Sequence, residues 1–221
     1  GATAEIVRMR QDLLGLLKDH PHLARTDHDL QHLLRSWFNR GFLVMQQVSW
    51  DSPATILEKI IAYEAVHEIQ NWDDLRRRLQ PEDRRCFAFF HPSMPTEPLI
   101  FVEVALTMSV PASIQHVLAG ERVQRTPHET KVAVFYSISN CQKGLKGISF
   151  GNLLIKQVVD ELRQELPGLE TFVTLSPIPK FNAWLSRQAD DEEARTILQG
   201  IATPEAIQQK ASEYLATARR D

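Results

Sequence analysis

Residues 135–181 read FYSISNCQKGLKGISFGNLLIKQVVDELRQELPGLETFVTLSPIPKF, and this stretch is the most informative about the fold. It continues an apolar run over residues 132–138, which predicts a buried strand. A glycine-studded loop follows, and apolar residues then recur at helical spacing over 154–162, which predicts an amphipathic helix. Proline and glycine at 167–168 end that helix, and residues 171–175 predict the next strand. This stretch therefore predicts a strand, a glycine loop, a helix and a second strand, in that order.

The loop between this strand and this helix is a candidate anion site. Glycines let the backbone approach a ligand closely, and Lys143 and Lys146 add positive charge. The helix N-terminus that follows presents unpaired backbone N–H groups at the positive end of the helix dipole. These features suit a phosphate or pyrophosphate. An ordinary flexible loop is the alternative that the residues alone leave open.

Bulk properties narrow the class of protein. The chain has 221 residues, enough to bury roughly 70% of its unfolded surface, and 43% of its residues are apolar. A net charge of −3 argues against a general nucleic-acid binder. The two cysteines, Cys86 and Cys141, form no disulfide framework or metal pattern, which favours a reducing compartment. No apolar run is long enough to span a membrane, and no signal-peptide pattern is present. We therefore expect an intracellular protein with no nucleic-acid or membrane partner.

Before residue 50 the pattern is helical. The first helix is predicted over 3–19, with an apolar face made of Ile6, Met9, Leu13, Leu16 and Leu17. The second is predicted from Asp27, with Trp37 and Phe38 in the core and Gly41 as its C-cap. Residues 42–48 are apolar and predict either a strand or an extended linker.

After residue 50 helices and strands mix. Ser52 and Pro53 predict the start of a helix that runs to Tyr63, and Asn71 predicts the cap of a short basic helix with Trp72 in the core. Two apolar runs, 86–91 and 99–107, predict an antiparallel hairpin. One or two helical turns over 111–118 and a polar loop over 120–129 lead to the central strand, and everything beyond Phe181 is predicted helical. The fold class is α+β, with a loose domain boundary near residue 50.

The central stretch resembles the malonyl-CoA decarboxylase family. The residues that carry the resemblance are Phe135-Tyr136-Ser137-Ile138-Ser139, the run Gln142 to Ile148, Gly151 to Lys156 and Leu175-Ser176-Pro177-Ile178-Pro179. Further matching segments are Ser36 to Phe42, Glu64-Ala65-Val66-His67, Asn71-Trp72 and Glu97-Pro98-Leu99. The resemblance implies a GNAT-like mixed sheet in residues 51–221, behind residues 1–50 as the C-terminal part of a helical domain. In that fold two strands splay apart and coenzyme A lies between them.

The resemblance also implies the site. It places the coenzyme A pyrophosphate on a loop made of Gln142, Lys143, Gly144, Leu145, Lys146, Gly147, Ile148, Ser149, Gly151 and Asn152. It assigns the active-site serine to Ser176, whose hydroxyl would stabilise the charge that develops as CO2 leaves. From the residues alone, a serine at a strand end that bonds its own backbone remains open. Some family members carry a carboxylate where this chain has Ser149.

The implied activity is conversion of malonyl-CoA to acetyl-CoA and CO2, with no metal or organic cofactor. The family places its catalytic histidine in a His-Leu-x-Asn-Gly-Ala type motif after the serine, whereas every histidine here lies at or before His128. We therefore expect an internal portion of a longer enzyme, incomplete at its C-terminus and inactive alone. We also expect a homo-oligomer, located in the bacterial cytoplasm or, in a eukaryote, in the mitochondrial matrix or peroxisome. A GNAT-type acyltransferase and a non-catalytic coenzyme A-binding module are the alternative functions.

Several sharper-looking signals have plainer interpretations. Residues 147–151 fit the G-x-S-x-G pattern of hydrolases, but Ser149 does not follow the strand directly and no histidine comes after it. The arginines at 76–78 could meet a phosphate of coenzyme A, but a solvated helix face is favoured. Cys141 beside the loop is interpreted as a packed cysteine. The four histidines between residues 20 and 32 lack the spacing of a metal site, so no metal ligands are predicted.

Overall fold

The computed structural model of the chain describes residues 1–148, 150, 153–177 and 180. The chain forms two compact units, Gly1–Ser176 and Pro177–Asp221, and nearly all described residues belong to the first. The first unit is α+β, as predicted. The helices predicted beyond Phe181 lie outside the described residues. The domain boundary near residue 50 stays a prediction.

The elements occur close to the predicted positions. The helices of the described residues are α1 (Ala2–Leu16), α2 (Ala24–Trp37), α3 (Ala54–Tyr63), α4 (Trp72–Leu79), α5 (Ile114–Leu118) and α6 (Leu153–Glu165). The strands are β1 (Val44–Val48), β2 (Arg84–Phe90), β3 (Ile100–Thr107), β4 (Val132–Asn140) and β5 (Thr171–Thr174). The hairpin is confirmed as β2 and β3, and the apolar run 42–48 supplies a strand rather than a linker.

The strands form one mixed sheet in the order β1-β2-β3-β4-β5. Neighbouring strands are antiparallel except β4 and β5, which are parallel because α6 carries the chain back across the sheet. The β3–β4 register shifts between Glu103 and Val104, which pair with Ser137 and Phe135. Tyr136 is therefore the extra residue of a β-bulge in β4.

β5 is a short strand at one edge of the described sheet. β4 pairs with β5 only over Val132–Phe135, and the Leu175 N–H then donates to the Phe135 carbonyl at 2.9 Å. β4 continues to Asn140. At about 3.3 Å per residue, the edge of β4 that β5 leaves uncovered is about 16 Å long. This uncovered part of β4 leads into the glycine loop.

The sheet buries apolar side chains on both faces, because alternate residues of each strand point in opposite directions. One face, with Phe87, Val102 and Phe135, packs against α1, α2 and α6. The other face packs against α3 and α4 through Cys86, Phe101 and their neighbours, with a smaller cluster around α5. No helix of the described residues has the length and apolar character that crossing a bilayer requires.

Of three predictions about helix caps, two were wrong and one is confirmed. α2 ends at Trp37 with Phe38 as its C-cap, so Gly41 does not cap it. Pro53 rather than Ser52 is the N-cap of α3, since the Ser52 hydroxyl accepts from the Ser49 N–H instead. The Asn71 cap of α4 is confirmed, because its side chain accepts from the Asp74 N–H at 2.9 Å.

The predicted apolar face of α1 was wrong. Ala4, Val7 and Arg10 are the buried residues of this helix, whereas Met9 and Leu16 are 51% and 48% exposed. The periodicity misled because the buried stripe includes an arginine, which a search for apolar residues passes over. Trp37 and Trp72 are also more exposed than predicted, at 37% and 42%, whereas Phe38 is buried.

Candidate functional site

The loop after β4 is a tight, structured turn. Residues Lys143–Leu145 form one turn of 3-10 helix, in which the Leu145 N–H donates to Gln142 O and the Lys146 N–H to Lys143 O. Gly147 then adopts φ +80°, the left-handed region where a side chain would be strained. The Ile148 N–H closes the turn on Leu145 O at 3.0 Å. The glycine at 147 is thus required by backbone conformation.

The N-terminal helices hold this loop from one side. Arg10 of α1 is 1% exposed and donates through one guanidinium nitrogen to Gly144 O at 2.7 Å and to Lys146 O at 3.0 Å. Its Nε donates to Asp27 of α2 at 2.8 Å, so the buried charge is paired. From α2, Gln31 and Arg35 donate to Gly147 O at 3.4 and 3.3 Å.

These contacts determine which way the loop's N–H groups point. In a trans peptide the C=O and the N–H point in opposite directions, and the described residues contain no cis peptide. Because Lys146 O faces Arg10, the Gly147 N–H faces away from α1. No described residue accepts a hydrogen bond from it. The exposed Lys143 and Lys146 side chains lie on the same loop. The outward face of the loop therefore offers a donor and positive charge to an anion.

A cavity of about 560 Å³ adjoins the loop, within the size range of small-molecule sites. The loop, the end of β4 and the start of β3 form one part of its wall, and α1 forms the other. Its lining residues include Gln11, Leu14 and Gly15 of α1 together with Asn140, Lys143 and Lys146.

The ten residues predicted for the pyrophosphate are used differently. Lys143, Lys146 and Gly147 are exposed, whereas Leu145 and Ile148 point into the core, so only their backbone could reach a ligand. Gln142 donates through its side chain to Pro98 O at 2.9 Å. Gly144 packs on α1. Ser149, Gly151 and Asn152 lie outside the described residues. The pyrophosphate role of the loop stays a prediction.

Ser176 lies two residues after the end of β5. It follows Leu175, the last residue of the β5 segment bonded to β4, and its side chain is exposed. No described residue makes a hydrogen bond to its hydroxyl. Among the described residues, the Ser176 hydroxyl therefore makes no hydrogen bond to its own backbone. Its catalytic role stays a prediction.

A buried carboxylate that the sequence did not single out fastens the far part of β4. Glu64, directly after α3, accepts the N–H groups of Val66 and His67, both at 2.8 Å. It also accepts the hydroxyl of Ser137 at 2.8 Å and that of Ser139 at 3.2 Å. Ser139 in turn accepts the Ala65 N–H at 3.2 Å. The strand that leads into the loop is thus bonded to the turn after α3.

A second buried polar cluster lies at the bulge. Glu103 is 0% exposed, and its Oε2 accepts from Arg78 at 3.2 Å. Its Oε1 and the Tyr136 hydroxyl have no hydrogen-bond partner among the described residues. Burial raises the pKa of Glu103 to about 8, partly offset by the Arg78 charge. Arg78 was predicted to lie on a solvated helix face and is instead buried, whereas Arg76 and Arg77 are half-exposed as expected.

Two other predictions near the loop can be compared with the structure. Cys141 is buried, and burial raises the pKa of its thiol, which fits a packed rather than a reactive cysteine. β4 ends at Asn140, so Ser149 does not directly follow the strand as a nucleophile elbow requires.

Sequence reasoning missed Arg10, the wall contributed by α1, and the Glu64 cluster. Arg10 could have been found as a charged residue three positions after Val7 and four before Leu14, in a helix that must bury a face. Glu64 carries no comparable signal, because its partners Ser137 and Ser139 lie more than 70 residues away.

The described fold and loop define an α+β protein with a candidate anion site on the loop after β4. The family model described as "Malonyl-CoA decarboxylase C-terminal domain" matches residues 41–217, and the one described as "Malonyl-CoA decarboxylase N-terminal domain" matches residues 1–38. The chain belongs to the malonyl-CoA decarboxylase family.

Individual relatives agree with this assignment. The chain is 44% identical over 191 residues to a protein of Anser anser anser named "Malonyl-CoA decarboxylase, mitochondrial", covering 84% of this chain and 38% of that protein. The protein of that name from Rattus norvegicus is 42% identical, with 84% and 39% covered. The chain thus spans less than two fifths of the length of these curated relatives.

Solved structures named as malonyl-CoA decarboxylases are also similar to this chain. That from Rhodopseudomonas palustris gives a TM-score of 0.83 at 56% identity, covering 92% of this chain and 51% of the other. That from Agrobacterium vitis gives 0.80 at 57% identity, covering 87% and 46%.

Proposed function

We propose that this chain binds malonyl-CoA and forms part of an enzyme that converts it to acetyl-CoA and CO2. The observation that carries the proposal is the loop over 142–148, in a chain of this family. Three of its carbonyls are held by α1 and α2, and the Gly147 N–H and two lysines are left on the outward side. A diphosphate needs such N–H donors and such charge.

The edge of β4 that β5 leaves uncovered supports a path for the rest of the ligand. Pantetheine is an extended chain with two amide groups, and amides pair with the N–H and C=O groups of a strand edge. The uncovered edge of β4, Tyr136–Asn140, runs between Ser176 and the loop. A coenzyme A whose diphosphate lies on the loop would extend its thioester toward Ser176.

The chemistry needs a group that stabilises negative charge. When the bond between the carboxylate and the α-carbon breaks, its electron pair moves onto the thioester and forms the enolate of acetyl-CoA. The Ser176 hydroxyl would donate to the thioester oxygen that carries this charge, or bind the departing carboxylate. Protonation of the α-carbon then completes acetyl-CoA. The resemblance assigns that proton to a histidine of a motif not included in these 221 residues.

Three further expectations accompany the proposal. The reaction is expected to need no metal or organic cofactor, since the thioester itself accepts the electron pair. The protein is expected to be a homo-oligomer. It is expected in the mitochondrial matrix or peroxisome of a eukaryote, supported by the relatives named mitochondrial, or in the cytoplasm of a bacterium.

Replacing Ser176 by alanine tests the catalytic role. In a protein long enough to include the family's histidine motif, we expect kcat for malonyl-CoA decarboxylation to fall by about 100-fold, because a donor to the developing oxyanion is lost. The Kd for coenzyme A should stay within about twofold, since the loop is unchanged. The control is Ser93→Ala, which removes a hydroxyl from another exposed serine. Acetyl-CoA formation and calorimetry measure the two quantities.

Three results would contradict the proposal. Equal losses of rate and binding would remove the catalytic role of Ser176. Release of free coenzyme A thiol only when an amine acceptor is added would indicate an acyltransferase. Binding of coenzyme A with no turnover in the longer protein would indicate a binding module.

A further inference from the structure

We infer that Arg10 of α1 is a positioning residue for the diphosphate of the ligand. The inference rests on the proposed function and assigns part of the site to the N-terminal helices. Arg10 does not touch the ligand in this account. It holds two carbonyls of the loop, and the bond to Lys146 O directs the Gly147 N–H away from α1.

The planar guanidinium of Arg10 holds three acceptors at once. Arg10 spans Asp27, Gly144 O and Lys146 O, all within 3.0 Å. A guanidinium has five N–H donors in a rigid plane, so it can hold two carbonyls and a carboxylate at fixed positions. A lysine ammonium has its donors on a single atom and cannot reproduce these three contacts at the same distances.

The burial of Arg10 also supports a role in fixing the loop. Arg10 is 1% exposed, and its Asp27 partner is 18% exposed. A buried arginine is costly to desolvate, and a salt bridge with Asp27 alone is weak reason to bury it. Its two remaining hydrogen bonds go to the loop. The contact therefore fixes the loop's conformation rather than simply joining two helices.

The direction of the peptide between Lys146 and Gly147 also depends on Arg10. With Lys146 O on Arg10, the Gly147 N–H must point to the opposite side of the peptide plane. Without Arg10, the carbonyl of the peptide between Lys146 and Gly147 loses its described donor. Gly147 has many accessible conformations besides φ +80°, so this peptide becomes easier to reorient. The ordering cost would then be met on binding, which lowers affinity.

The test compares two ligands in the 221-residue chain. Coenzyme A carries the diphosphate, and acetyl-pantetheine does not. For Arg10→Met we expect coenzyme A to bind about tenfold more weakly, the equivalent of one or two lost hydrogen bonds. Acetyl-pantetheine should change by less than about twofold, so the ratio of the two affinities falls. A merely structural role would weaken both ligands equally.

Arg8→Met is the matched control. It removes the same charge from the same helix, but Arg8 is exposed and, among the described residues, donates only to Ala4 O within α1. We expect its affinity ratio to equal that of the wild type. An equal fall for Arg8→Met and Arg10→Met would reduce the effect to general charge and overturn the inference.

Arg10→Lys and Arg35→Met cover the case in which Arg10→Met does not fold. The lysine keeps a charge beside Asp27 but should still lower the affinity ratio, and Arg35→Met, at an exposed position, should lower it by about twofold. A wild-type ratio in Arg10→Lys would overturn the inference while leaving the proposed function intact. If the wild-type chain itself does not bind coenzyme A, the proposed function fails and this inference with it.

Discussion

Replacing Gly144 by alanine is expected to destabilise the chain by about 3 kcal/mol and to weaken coenzyme A binding by at least about tenfold. A Cβ at this position would lie 1.9 Å from the carbonyl oxygen of Val7 and 2.8 Å from its carbonyl carbon. Both atoms belong to the backbone of α1, so no side chain can move aside. α1 must therefore separate from the loop, and the bond from Arg10 to Gly144 O must lengthen or break.

The measurement is urea unfolding together with calorimetric titration of coenzyme A. Gly168→Ala is the matched control, because among the described residues no atom beyond its two chain neighbours lies within 4 Å of its Cβ position, and its φ is not in the left-handed region. We expect that control to change the free energy of unfolding by less than about 0.5 kcal/mol. Wild-type stability and affinity in Gly144→Ala would show that the packing of α1 on the loop is described wrongly.

Replacing Glu64 by alanine is expected to lower the free energy of unfolding by about 3 kcal/mol. The substitution removes the acceptor from two part-buried backbone N–H groups and from the buried hydroxyls of Ser137 and Ser139. Each donor left unpaired costs about 1–3 kcal/mol before relaxation. Glu64→Gln keeps one acceptor oxygen and should cost less.

Glu68→Ala is the control for charge. Glu68 lies four residues away and is exposed, and its carboxylate makes no hydrogen bond or ion pair with a described residue. Chemical unfolding of the three variants should rank Glu64→Ala below Glu64→Gln and both below Glu68→Ala. Equal stability of Glu64→Ala and Glu68→Ala would mean that this cluster does not fasten β4.

The sequence was sufficient for the order of elements in the described chain, for a clear physical reason. The strands are apolar runs and α6 is amphipathic, so local periodicity determines both. Asn71 was likewise predictable as a cap, because capping depends on residues within one turn. The family resemblance supplied the expectation of a mixed sheet, which periodicity could not.

Long-range polar contacts could not be predicted in this way. Arg10 lies more than 130 residues from the carbonyls that it holds, and nothing local indicates that pairing. Arg78 shows the same limit from the opposite side. It follows two half-exposed arginines, yet its neighbours Asp74 and Glu103 draw it into the interior. Burial of a charge depends on partners that only the folded chain brings together.

Titration of coenzyme A into the 221-residue chain, with acetyl-pantetheine as the comparison ligand, tests directly whether the loop binds a diphosphate. We expect coenzyme A to bind with a Kd between roughly 1 μM and 1 mM. We expect acetyl-pantetheine to bind at least about tenfold more weakly, because it lacks the diphosphate for the loop. Equal affinities, or no binding of coenzyme A, would contradict the claim that the loop after β4 binds the diphosphate of an acyl-CoA.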